Sequence, residues 1–245
     1  MADFDRSTLA ARTGTAAVID EGLRSYMLKV YNYMGIGLVV TGLVAYFSNA
    51  AAISNGNLTA WGELLYTSPL MWVVAFAPLA FVLVLSFGVN KMSSATAQLV
   101  FWAFAAVMGL SLSSIFLVYT GSSIAKVFFI SAATFGAMSL YGYTTKRDLT
   151  SIGNFLFMGL IGIVIASVVN IFLHSDGLSF AISLVGVVVF VGLTAWDTQK
   201  IKESYNVGHG AEVLAKGAIM GALSLYLDFI NLFLMLLRLF GNQRN

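Results

Sequence analysis

From Val30 onward the chain is a succession of long apolar runs separated by short polar breaks. A helix needs about 20 apolar residues to cross the hydrocarbon of a bilayer. Seven stretches reach that length: 30–49, 69–89, 97–118, 123–143, 153–173, 178–198 and 217–237. Each is predicted to be a membrane-spanning helix, so the fold expected is an all-α bundle of seven transmembrane helices. The longest connections are 50–68 and 199–216, and no soluble module or internal repeat interrupts the series. Residues 1–29 carry four basic and four acidic side chains. They lack the basic start and short apolar core of a signal peptide. They are read as a polar tail that stays in the chain, followed by a transmembrane domain over 30–241 and a short C-terminal tail, 242–245. Pro78 lies inside the second run, where it removes a helix hydrogen bond and is expected to kink the helix.

Composition agrees with a bilayer as the main solvent. Hydrophobic residues make up 59% of the 245 positions and charged residues 10%, against about a quarter charged in soluble domains. A net charge of +2 offers no concentrated basic patch for nucleic acid. With no Cys, thiol catalysis and Cys-based zinc sites are excluded. The two His, His174 and His209, fall outside any metal-ligand spacing. No triad order, P-loop or glycine fingerprint occurs, so neither an enzyme nor a cofactor is expected. Intramembrane aspartyl proteases carry YD and GxGD motifs, whereas here the aspartates follow Trp196 and Leu227. Lys and Arg mark the N-terminal segment and the second, fourth and sixth connections (Lys91, Lys146, Arg147, Lys200, Lys202, Lys216). By the positive-inside rule the N-terminus is expected to be cytoplasmic. Arg238 and Arg244 near the end leave a re-entrant last segment open.

Only three charged residues fall inside the seven runs: Lys126, Asp197 and Asp228. Lys126 is three residues into its span and is expected to snorkel to the surface. Asp228 lies 12 residues after Lys216 and 10 before Arg238, about 15–18 Å from either end. A short carboxylate there cannot reach water and must face the bundle interior. Asp197 ends the sixth run. If its helix continues to about Tyr205, Asp197 sits below the surface and can reach Asp228, provided the seventh helix is shifted. Gly217, Gly221, Ser224, Asp228 and Asn231 recur at steps of four and three and share one face. Gly217 and Gly221 form a small-xxx-small pair that permits close helix contact. Two carboxylates in a low-dielectric site share a proton and titrate as a pair. Deprotonated, they offer oxygen ligands to a hard cation such as Ca²⁺, with further oxygens expected from Asn170, Thr194, Thr198 and Asn231.

Three segments resemble the Bax inhibitor-1 family: SLYLDFINLFLMLLRLFG (224–241), TAWDTQKIK (194–202) and TTKRDLTSIGNFLFMGLIGIVIASVVNIF (144–172). The resemblance covers about 30–241. With the polar tail and absent Cys, it points to a bacterial member in the inner membrane. It implies seven helices with the last enclosed by the others. It also implies a pH-sensitive calcium leak whose gate uses an aspartate pair at positions matching Asp197 and Asp228. Ca²⁺ and protons would be the species handled. Eukaryotic relatives suppress cell death, and some bacterial relatives modulate a membrane-bound protease, so a protease-modulating interaction protein is an alternative. A proton-coupled small-solute transporter is another. Some members carry an acidic residue in the second helix and a basic cluster after it. Here span 69–89 is uncharged and only Lys91 follows.

Overall fold

The computed structural model describes residues 2–244, with side chains from Glu21 onward. Helix α1 runs over Ala2–Ala52, so the polar N-terminal segment and the first apolar run are one continuous helix. A small hairpin follows, β1 (Ile53–Ser54) with β2 (Asn57–Leu58), and then the short helix α2 (Ala60–Tyr66). Next come α3 (Leu70–Gly88), which ends in a 3₁₀ turn, α4 (Ser94–Leu112), the one-turn α5 (Ile115–Val118) and α6 (Gly121–Thr144). The chain closes with α7 (Thr150–Leu173), α8 (Asp176–Ser204) and α9 (Ala211–Phe240). Among the described residues, seven helices are long and apolar enough to cross a membrane, one for each of the seven predicted runs. This is an integral membrane protein with an all-α, seven-helix fold.

The first connection holds structure that hydrophobic runs do not reveal. Asn55 and Gly56 both have positive φ, 51° and 79°, which suits a tight two-residue hairpin turn. Thr59 then caps α2 by accepting from the Gly62 amide at 3.2 Å. Elsewhere the connections are short, and two of the helices that follow them are capped by hydroxyls: Ser93 accepts from Thr96 N at α4, and Ser175 from Leu178 N at α8.

Helix α9 is the centre of the bundle. In its most apolar stretch 72% of residues are buried, against 44% for α8 and 28% or less for the other spans. It packs on α8, α1, α6, α4 and α3, while α7 packs on α8. The bundle's exterior is apolar, with Phe87, Phe129, Phe155 and Phe172 each at least 69% exposed. Lipid tails are the solvent that such a surface requires. Helices α6 and α8 cross at Gly142, where an added Cβ would collide with the Ala195 carbonyl. That contact is the close approach that a small interfacial residue allows.

The last helix is unbroken for 30 residues, about 45 Å, and it crosses the whole bundle. The re-entrant alternative is thereby excluded. Residues past α9 are pinned to the α5–α6 connection. Asn242 O accepts from Thr120 N at 3.1 Å, Arg244 N donates to Val118 O at 2.8 Å, and Arg244 Nη1 donates to Phe116 O at 3.0 Å. The opposite end of α9 is held by Glu212, whose carboxylate accepts from the Ser94 amide and hydroxyl at the start of α4.

Candidate functional site

Helices α8 and α9 run antiparallel, with Gly221 against Ile201 and Gly186 against Met235. This register leaves Asp197 about one helical turn from the level of Asp228. Side chains on a helix lean toward its N-terminus. In an antiparallel pair, therefore, the two carboxyls lean toward each other and close the gap. They meet within hydrogen-bonding reach. Asp228 is only 6% exposed, and no hydroxyl, amide or cation donates to its Oδ2. Two carboxyls hold together at this range only when at least one proton lies between them. Lys200, whose Nζ lies 5.0 Å from the Trp196 ring centroid, offsets part of the charge on Asp197.

The sequence-selected neighbours divide into those near the pair and those elsewhere. Thr194 and Thr198 are fully buried on α8, and both spend their hydroxyl protons on their own helix, at Phe190 O and Thr194 O. Thr198 Oγ1 also lies 3.0 Å from Ser139 Oγ, which lies 2.7 Å from the Tyr31 hydroxyl. A chain of hydroxyls therefore joins α1, α6 and α8 beside Asp197. Asn231 donates its amide to Leu227 O at 2.8 Å, and Ser224 is half-buried on α9. Gly217 faces the Tyr26 hydroxyl on α1, and Gly221 faces Ile201 on α8, so the small pair admits two different neighbours.

Asn170 does not join this site. It sits at the far end of α7, bonding Ser179 Oγ and the Ser175 amide across the α7–α8 turn. Ser179 precedes Asp197 by 18 residues on α8, about 27 Å along the axis. Pro78 is buried within a continuous α3. Lys126, His174 and His209 are exposed. Asp148 is exposed as well, and its carboxyl is held below the usual range by bonds from Thr150.

Two groups escaped the sequence reading. The Tyr226 hydroxyl, wholly buried, lies 2.7 Å from Thr41 Oγ1, which donates to Ala105 O at 2.8 Å. This ties α9 to α1 and α4 on the side of α9 away from Asp228. A mid-span Thr such as Thr41 was the available signal. The other is Gln199, which clamps the α6–α7 connection by accepting from Leu149 N and donating to Arg147 O, both at 2.8 Å. Gln199→Ala is expected to expose residues 145–149 to limited proteolysis with the bundle otherwise intact. An unchanged cleavage pattern would show that the loop is held by other means.

The model of the family described as inhibitor of apoptosis-promoting Bax1 matches residues 23–245. The chain belongs to the Bax inhibitor-1 family. It is 51% identical over 242 residues to protein RP147 of Rickettsia prowazekii, covering 99% of this chain and 100% of that one. It is also 51% identical over 230 residues to the inner membrane protein YbhL of Escherichia coli K12, covering 91% and 94%. A protein of Caulobacter vibrioides is 44% identical over 249 residues, with full coverage of both chains. Within this Bax inhibitor-1 member, α3 carries no charge. The acidic pair is thus confined to α8 and α9. Among the described residues no group of three or more His, Asp or Glu gathers anywhere. A cation at the pair would meet at most two carboxyls plus neutral oxygens, a weak ligand set.

Proposed function

We propose that the protein is a pH-sensitive passive leak for Ca²⁺ in the bacterial inner membrane, gated by Asp197 and Asp228. The observation that carries this reading is the direct meeting of two carboxyl groups inside the bundle, with no cation or hydroxyl donating to Asp228 Oδ2. With one shared proton the two helices are held together at that point. Without it, two like charges in a low-dielectric interior repel strongly. The same oxygens then become ligands for a hard divalent cation, and protons and Ca²⁺ compete for them. A weak site suits a leak, because an ion must leave as readily as it enters. Helix α9 is the element whose seat would respond, since it carries Asp228 and touches most of its neighbours.

The N-terminus is cytoplasmic in this reading. Lys91, Lys146, Arg147, Lys200, Lys202 and Lys216 all lie at or near the end of the bundle where α1 enters it, which agrees with the positive-inside rule. The inner-membrane location follows the name of the E. coli relative, which is 51% identical.

The test is Ca²⁺ flux in proteoliposomes from pH 6 to 8, for the parent chain and for Asp197→Asn and Asp228→Asn. Flux that changes with pH in the parent, with a shifted and shallower profile in each variant, supports the proposal. Absent flux, or a pH profile that neither substitution alters, overturns it.

A further inference from the structure

A second feature stands apart from the aspartate pair. Helices α1 and α6 flank α9 without packing closely on each other. Between them lies a groove of about 530 Å³, lined by Arg24, Leu28, Tyr31, Gly136, Ser139 and Tyr143, among others. Its volume is within the range of ligand pockets. Its walls are mostly apolar, and two of the three hydroxyl-bearing residues that line it, Tyr31 and Ser139, bond to each other. From Tyr143, one residue before the end of α6, to Gly136 the groove descends seven residues, about 10 Å into the bundle.

The mouth is basic. Arg24 is exposed and forms no ion pair among the described residues. Lys202 sits beside the other lip, with its Nζ 5.4 Å from the Tyr143 ring centroid and bonded to Tyr143 O. Lys146, Arg147 and Lys200 add charge at the same end, against Glu21, Asp148 and Glu203. Arg24 and Lys202 supply N–H donors that suit a phosphate. A soluble phosphate ester would leave the apolar walls wet, whereas a lipid tail covers them. Basic recesses between membrane helices are places where anionic head groups bind.

We propose that the groove between α1 and α6 binds an acyl chain of an anionic phospholipid, with Arg24 and Lys202 holding its phosphate at the mouth. The bound chain rests on the hydroxyl link from Tyr31 through Ser139 to Thr198, the residue next to Asp197. The lipid site does not depend on the leak proposal, and binding alone tests it.

The purified full chain is titrated with phosphatidylglycerol and, separately, phosphatidylcholine, and retained lipid is counted by native mass spectrometry. One phosphatidylglycerol is expected to be held in preference to phosphatidylcholine. Arg24→Gln with Lys202→Gln is expected to weaken phosphatidylglycerol at least about fivefold and leave phosphatidylcholine unchanged. Gly136→Leu projects a side chain into the groove from a position where a Cβ meets nothing within 4 Å. It is expected to remove the retained lipid. Leu28→Trp fills the groove from the other wall and decides the question if Gly136→Leu does not fold. Equal retention of the two lipids by the parent chain overturns the proposal. So does undiminished phosphatidylglycerol in a folded groove-filling variant.

Discussion

Combining Asp197→Asn with Asp228→Asn is expected to give a Ca²⁺ flux that stays flat between pH 6 and 8. The two amides can hydrogen-bond to each other without a titrating proton, so the α8–α9 contact survives while its pH response is removed. In the parent chain, two pH units change the ratio of protonated to deprotonated pair by up to about a hundredfold. That is the range over which flux should move. Either single substitution leaves one carboxyl, which titrates alone and no longer meets a like charge, so its profile is expected to be shifted and shallower. Because the two groups act as one unit, the double variant should not show the sum of the single effects. Flux measured at four or five pH values, with stability followed in parallel, separates loss of gating from loss of fold. A double variant that keeps the parent profile would place the sensor elsewhere.

Gly142→Leu, which changes no charge, is expected to damage the fold severely. A Cβ at Gly142 would collide with the backbone carbonyl of Ala195, and backbone cannot swing aside as a side-chain tip can. Overpacking typically costs about 1–3 kcal/mol, and α8 would have to withdraw from α6 to relieve it. That shift would disturb α8 two residues from Asp197 and would separate Ser139 from Thr198. The expected readout is a large loss of thermal midpoint in detergent, or loss of monodisperse protein. Gly136→Leu, six residues earlier on α6 and facing open space, is the control and should melt near the parent. Equal behaviour of the two variants would show that the α6–α8 crossing tolerates separation.

Seven runs of about 20 apolar residues announce seven spans, because hydrocarbon admits little else of that length. The ends are less legible. Charged residues can extend a helix into water, so α1 begins at Ala2, whereas α8 ends at Ser204, within a residue of the expected end. The hairpin at 53–58 was marked by Asn55–Gly56, a short-range signal that a search for apolar runs passes over. Asp197 and Asp228 stand out because carboxylates are costly in lipid. Their meeting rests on the α8–α9 register, which spacing within one helix does not define. Asn170 was misplaced for the same reason: polarity inside a span says nothing about which end of the bundle it occupies. Tyr226 reads as an ordinary core aromatic, and its hydroxyl matters only once Thr41 is brought against it by folding.

The central helix is tethered at both ends, by Glu212 on the start of α4 and by Asn242 and Arg244 on the α5–α6 connection. A rod fixed in this way resists sliding along its axis, since a piston stroke must break both sets of bonds at once. Twisting in place leaves the ends seated and swings residues near the middle through the widest arc. Asp228 and Tyr226 lie between the tethers on roughly opposing sides of the rod, so a small rotation would carry them in opposite directions, Asp228 across α8 and Tyr226 across α1 and α4. Torsion, rather than translation, is the motion this anchoring permits at least cost.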